Sequence, residues 1–174
     1  MLGYPDKIFL IGFMGVGKSH WGRHLAIQLG HAFIDLDEEI SRAAGDRSIT
    51  QIFEEEGEEY FRRLESDCLE KFTAADQRLV MACGGGTPCF LNNLERMKKV
   101  GKVIWLQASV TALLPRLLAE REKRPLIRDL SEADLRHYIT KKMGDRQLFY
   151  REANLTVAES ELTEKNLTEI LFHE

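Results

Sequence analysis

GFMGVGKSH, residues 12–20, decides how this chain is read. An apolar run, residues 7–11, leads into it, and an amphipathic stretch, residues 21–29, follows. The spacing G-x-x-x-x-G-K-S between a strand and a helix makes a phosphate-binding loop. Gly12, Gly15 and Gly17 free the backbone to turn its amides inward around phosphate oxygens, and the following helix aims its N-terminal dipole at them. Lys18 is placed to neutralise β- and γ-phosphates, and the Ser19 hydroxyl to ligate Mg²⁺. Position 20, often a second hydroxyl residue, is His20 here. Gly12, Gly15, Val16, Gly17, Lys18, Ser19 and His20 are therefore the candidate ATP-binding loop. The motif fixes a nucleoside triphosphate but not the fate of its phosphate.

The rest of the chain narrows that fate. Its 174 residues suit one domain with a full core. With 44% apolar and 30% charged residues, the composition is that of an ordinary soluble protein. A net charge of −4 argues against a general nucleic-acid binder. No apolar run approaches the roughly 20 residues of a membrane helix. MLGYPDK at the start lacks the apolar core of a signal peptide. Three cysteines, Cys68, Cys83 and Cys89, without paired spacing point to reduced thiols and a cytoplasmic protein.

Apolar strand-like runs at 8–11, 32–35, 79–82, 103–106 and 155–157 alternate with amphipathic stretches. The helices expected are 18–28, 37–44, 49–73, 92–99, 110–120, 131–153 and 163–172. Such alternation implies βαβ units: an α/β protein, three layers deep, around a five-stranded parallel sheet. Ligands bind beyond the carboxyl ends of such strands, and the chemically interesting residues follow each strand directly.

FIDLDEE ends the second strand with Asp35 and Asp37. Two positions apart on a strand, both carboxylates would face the cleft beside the phosphate loop. One near Mg²⁺ and one near an acceptor hydroxyl would suit phosphoryl transfer. The structural alternative is that Asp37 only caps the next helix. In SITQIFEEEGEEYFRRLE, residues 48–65, Arg62 can turn to the cleft with Glu58 or Glu65 holding it at helical spacing, while Arg63 is solvated. LVMACGGGTP ends the third strand in Gly84, Gly85 and Gly86, a run that suggests close backbone approach to a small ligand. No acid stands at that strand end to act as the Mg²⁺ ligand of a motor or hydrolase. EREKRPLIRD, residues 120–129, is charged, broken by Pro125, and reads as a mobile lid rather than core, with Arg124 able to swing over the phosphates. Arg146, in GDRQLFY, forms a set with Arg62 that can grip a carboxylate through bidentate hydrogen bonds. The acceptor is thus expected to be a small anion bearing hydroxyls.

Together these residues resemble shikimate kinase, a family of the P-loop nucleoside-monophosphate-kinase-like group. GFMGVGKS, DLD, SITQIFEEEGEEYFRRLE, GGG and RPLI stand in that family's order across nearly the whole chain. The resemblance implies a P-loop NTPase fold over residues 1–174, a lid near 120–130 and an acceptor-binding helical region near 37–65. It implies transfer of the ATP γ-phosphate to the 3-hydroxyl of shikimate with Mg²⁺, by a monomer without nucleic-acid or membrane partners. By the same resemblance, Asp35 supports Mg²⁺ through water and Asp37 holds the acceptor hydroxyl as base. Arg62 and Arg146 bind the shikimate carboxylate, and the glycines meet the ring. Arg124 is the lid arginine, a catalytic group with Asp37 and Lys18, and Arg116 is a loose match to an adenine-stacking arginine. The family pattern K-R-x-P-x-Y reads here as Asp145 before Arg146 and Leu148 for Pro. Asp145 could then compete for the Arg146 guanidinium. A kinase for another small acid, such as gluconate, shares the phosphate loop but not the I-F…G-E…F-R-x-x-E block with GGG.

Overall fold

A computed structural model describes residues 4–172. Residues 1–3, on which the signal-peptide reading partly falls, and 173–174, at the end of the expected single domain, lie outside the described residues. Five strands, β1 (Lys7–Ile11), β2 (Ala32–Asp35), β3 (Leu79–Ala82), β4 (Lys102–Gln107) and β5 (Leu155–Ala158), form one parallel sheet in the order β2-β3-β1-β4-β5. β1 is central, and its Leu10 lies level with Ala82 of β3 and Ile104 of β4. The loops after β1, β2 and β3 are thereby brought to one edge.

Strand residues alternate between two cores. Ile8, Leu10, Val80, Ile104 and Leu106 face one side, where they meet α1 (Lys18–Leu29), α5 (Val110–Glu120), α6 (Glu132–Tyr150) and α7 (Leu167–Phe172). Phe9, Ile11, Leu79, Met81, Val103 and Trp105 face the other, beneath α2 (Leu36–Ala43), α3 (Ile49–Ala74) and α4 (Asn93–Val100). Strands buried on both faces explain the near-continuous apolar runs in the sequence.

Several element boundaries differ from the sequence reading, each for a local reason. α2 begins at Leu36 because Asp35 is its N-cap, accepting from the Asp37 N–H at 3.1 Å. Asp35 and Asp37 therefore do not share a strand face: the first caps a helix and the second lies in its first turn. The break at Gly57 in α3, where φ is 83°, agrees with the break that the sequence reading places at that glycine. α6 stops at Tyr150 rather than residue 153. α7 starts at Leu167 because Thr163 and Asn166 close a separate turn, each side-chain oxygen accepting from the other's N–H. Within the lid segment, Ile127 is fully buried among α5 and α6 residues, so that position belongs to the core.

Gly101, between α4 and β4, has an extended backbone, but a Cβ there would overlap the Lys7 carbonyl oxygen of β1 and come within 2.8 Å of the Lys7 Cβ. Gly101→Ala must push β1 and β4 apart at their entry. It is expected to lower the unfolding free energy by roughly 1–3 kcal/mol, as overpacking does. Urea unfolding checks this, and an unchanged midpoint would contradict the close packing.

Candidate active site

Three glycines shape the loop after β1. Gly12, Gly15 and Gly17 hold φ of 142°, 80° and 100°, and Gly17 caps α1. Val16 is fully buried, so its side chain anchors the loop and only its backbone can face a nucleotide. Lys18 Nζ donates to the carbonyls of Gly12 (2.7 Å) and Phe13 (3.0 Å), which folds the loop around its own cation. Ser19 Oγ donates to Asp35 at 2.8 Å. His20 is exposed at the rim, its ring 4.8 Å from that of Trp21 and 4.6 Å from that of His24.

Gly15, Gly17, Lys18, Ser19, His20 and Asp35 line a cleft of about 320 Å³ with Asp37, Gly84, Gly85 and Arg124. The cleft thus joins the ends of β1, β2 and β3 to the lid. The capping of α2 by Asp35 still brings both carboxylates here, because a helix entered directly from the strand turns its first residues over the strand end. Arg124 lies across the cleft and pairs with Glu120 at 3.0 Å. Arg116 stands apart on α5, donating to the Gly15 carbonyl (3.3 Å) and pairing with Glu159 (3.0 Å).

The glycine run after β3 has a steric cause. A Cβ on Gly86 would stand 2.6 Å from an Arg62 guanidinium nitrogen, and one on Gly85 would stand 2.8 Å from Arg146 Nη1. A Cβ on Gly84 would meet the carboxylates of Glu65 (3.2 Å) and Asp37 (3.3 Å). The run therefore makes room for the chain's own charged groups. Arg62 comes from α3, turned inward by Glu65 at 2.9 Å, with Glu58 at 3.4 Å. Phe90 stacks on its guanidinium at 4.1 Å. Glu65 is itself buried and also accepts the Thr87 hydroxyl at 2.7 Å. Arg146 comes from the opposite helix, α6. Asp145 is exposed, and Arg146 turns to the glycine loop.

Thr87, Phe90 and Tyr150 were not singled out from the sequence. Tyr150 follows Arg146 by four residues, the helical spacing that could have marked it. Thr87 and Phe90 carry no such signal, since their loop is irregular. Cys83 is buried with its Sγ 3.7 Å from Met97 Sδ, and burial pushes its thiol far up, away from the reactive thiolate.

A model of the shikimate kinase family matches residues 14–173. The chain belongs to the shikimate kinase family. It is 38% identical to the shikimate kinase of Azobacteroides pseudotrichonymphae over 165 residues, 95% of this chain and 96% of that one. The crystal structure of shikimate kinase from Bacteroides thetaiotaomicron superposes with a TM-score of 0.88 at 32% identity, covering 95% of this chain and 97% of the other. Shikimate kinase from Acinetobacter baumannii, solved in complex with shikimate, gives 0.82 at 37% identity over 97% and 93% of the two chains. The phosphate loop and the Gly84–Gly85 stretch thus line one cleft here.

Electrostatics set this cleft apart from the rest of the surface. Burial pushes Asp37 up to about 6, aided by the carboxylates of Asp35 and Glu65 and opposed by Lys18 and Arg62. Burial likewise draws Lys18 down to about 8, against the pull of Asp37. An acid that binds its proton more tightly folded than unfolded makes stability fall as pH rises from its ordinary value, 3.8, through its folded value of about 6. Above 6 the whole penalty is present. The Asp37 side chain still reaches solvent, which screens much of this penalty. Asp37→Asn is therefore expected to stabilise the ligand-free, metal-free protein at pH 7.5 by about 1 kcal/mol, with no gain near pH 4. Denaturant unfolding at the two pH values measures it, and equal stability of the two proteins at pH 7.5 would contradict the raised carboxyl.

Proposed function

We propose that this chain transfers the γ-phosphate of ATP to the 3-hydroxyl of shikimate, giving shikimate 3-phosphate and ADP. The observation that carries the reading is the flanking of Asp37: phosphate-loop Lys18 on one side, and on the other two arginines from different helices converging on a side-chain-free strand end. A carboxylate gripped by Arg62 and Arg146 would set a hydroxylated ring against Gly84–Gly86. Asp37 would then hold the hydroxyl toward the phosphate loop. Shikimate carries one carboxylate and ring hydroxyls, as this arrangement needs.

Ser19 and Asp35 are paired at 2.8 Å beside Lys18, a hydroxyl and a carboxylate that fit a hard divalent cation. Mg²⁺, when bound, supplies positive charge to the phosphates. The chain's own residues do the rest. The loop amides and Lys18 orient the triphosphate, and Arg124, released from Glu120, balances charge on the transferring group. Asp37, ionised above about pH 6, aligns the hydroxyl and accepts its proton. Lid residues exclude water, a competing acceptor. Every group named comes from a single chain, which supports a working monomer. The free thiols of Cys68, Cys83 and Cys89 support a cytoplasmic setting. No helix among the described residues is long and apolar enough to cross a membrane.

Coupled ADP release from Mg-ATP tests the reading. Release should depend on shikimate, and gluconate should not replace it. Equal slow release with and without shikimate would sink the proposal. Asp37→Asn should lower turnover by roughly 10²-fold or more while ATP binding persists. Normal turnover in that variant would remove Asp37 from the chemistry.

A further inference from the structure

Tyr150 lies behind the acceptor site, at the last position of α6, and is only 2% exposed. Its ring packs on Trp105 of β4 at 5.6 Å, where phenylalanine would serve as well. The hydroxyl is an added polar atom in the core, and burying it unbonded is unfavourable. It donates to the Gly85 carbonyl oxygen at 2.5 Å, a bond between residues 65 positions apart in the chain. Burial pushes the phenol up to about 12, so it remains a donor at working pH.

The bond reaches two parts of the site. Arg146, one helical turn earlier, stands beside the same phenol, and its Nη1 occupies the space above Gly85. The helix turn that presents Arg146 is thus tied to the loop against which Arg146 rests. The second part follows from peptide planarity. The Gly85 carbonyl and the Gly86 N–H belong to one trans peptide and point in opposite directions. Holding the oxygen toward Tyr150 therefore aims the Gly86 N–H away from α6. A glycine pair has little else to fix its peptide plane, since neither residue carries a side chain.

We infer that Tyr150 is a positioning residue for the acceptor site: its hydroxyl locks the Gly85–Gly86 peptide plane and the Arg146 guanidinium into one arrangement. The inference rests on the proposed function for its substrate but not for its loop geometry. A hydroxyl that served only the core would affect stability alone. One that positions the site must affect acceptor binding more than nucleotide binding or the chemical step.

Tyr150→Phe keeps the ring and removes the bond. Two measurements separate the cases. In the ligand-free protein, the Thr87 amide, which donates to the Gly84 carbonyl at 3.2 Å across the Gly85–Gly86 peptide, should exchange at least several-fold faster by NMR hydrogen exchange than in the parent. In steady-state kinetics, KM for shikimate should rise roughly five- to tenfold, the size of one lost hydrogen bond, with KM for ATP and kcat within about twofold. Combining Tyr150→Phe with Arg146→Ala should raise KM by less than the product of the single effects, because both act on one contact. Unchanged exchange overturns the inference. Faster exchange with an unmoved KM for shikimate overturns it too, leaving Tyr150 a core residue. If the parent itself ignores shikimate, the proposed function fails. The exchange measurement then still decides whether the hydroxyl fixes the loop.

Discussion

Two guanidinium groups fill the space that side chains at Gly85 and Gly86 would need. Much of the site follows from that contact. Arginines drawn from α3 and α6, on different parts of the chain, can approach one strand end only if that end is bare backbone. Like charges brought this close also need carboxylates near them, and Glu65 supplies one for Arg62 from within the same helix. Glu65 in turn is buried and takes the Thr87 hydroxyl, which fixes the loop after the glycines. Asn93 extends the scaffold by donating to the Thr87 carbonyl at 3.0 Å and accepting from Ser66 at 2.9 Å. Arg62 is thus braced by a buried carboxylate and its hydrogen bonds rather than by surface ion pairs, which contribute little.

The sheet explains why the glycine run lies beside the phosphate loop. β1 lies between β3 and β4, so the phosphate loop and the glycine run leave neighbouring strands at the same edge. β2 lies beyond β3 and delivers Asp35 and Asp37 to the same cleft. Both Lys18 and Asp37 are held there in forms that burial opposes. Such a site is less stable than its surroundings and is better matched by ligand charge than by water. Under the proposed function, a triphosphate would add to the counter-charge that Asp37 gives Lys18, and an acceptor hydroxyl would give Asp37 a hydrogen-bond partner.

The fold was largely legible because its signals are local. Apolar runs marked all five strands, most deeply buried in β1, β3 and β4, and G-x-x-x-x-G-K-S fixed the first turn. Element ends were less legible where a side chain competed with the expected cap. Asp35 ended β2 and capped α2 at once, so strand periodicity misplaced Asp37 while its cleft position survived. The lid segment read as charged and flexible, yet Ile127 sits in the core, because one apolar residue among charges carries no periodicity. In the site, residues with a charge and a spacing were found: Arg62 with Glu65, and Arg146. Thr87 and Phe90 act through loop packing, which no local pattern records, whereas Tyr150 stands one helical turn after Arg146, at the last position of the family pattern, and lacks a charge to mark it.

The departure from the family pattern around Arg146 bears on how such patterns should be weighed. Residues 146 and 150 are one turn apart and face the glycine loop, while residues 145, 148 and 149 are exposed, Leu148 to 74%. Leucine in place of proline at this exposed helical position keeps the backbone N–H that a proline would remove, and Arg146 and Tyr150 stay on the inward face. Asp145 could have competed for the guanidinium only if it shared that face, and the helical repeat of about 3.6 residues places it about 100° away. What the proposed site requires of this segment is therefore narrower than the motif: an arginine and a tyrosine four residues apart, both turned to the glycine loop. The same argument applies to His20, which stands exposed at the cleft rim against Trp21 and His24 while Lys18 and Ser19 keep their contacts with the loop and with Asp35. Substitutions at outward or rim positions leave the geometry of the charged groups intact, and that geometry is what phosphoryl transfer depends on.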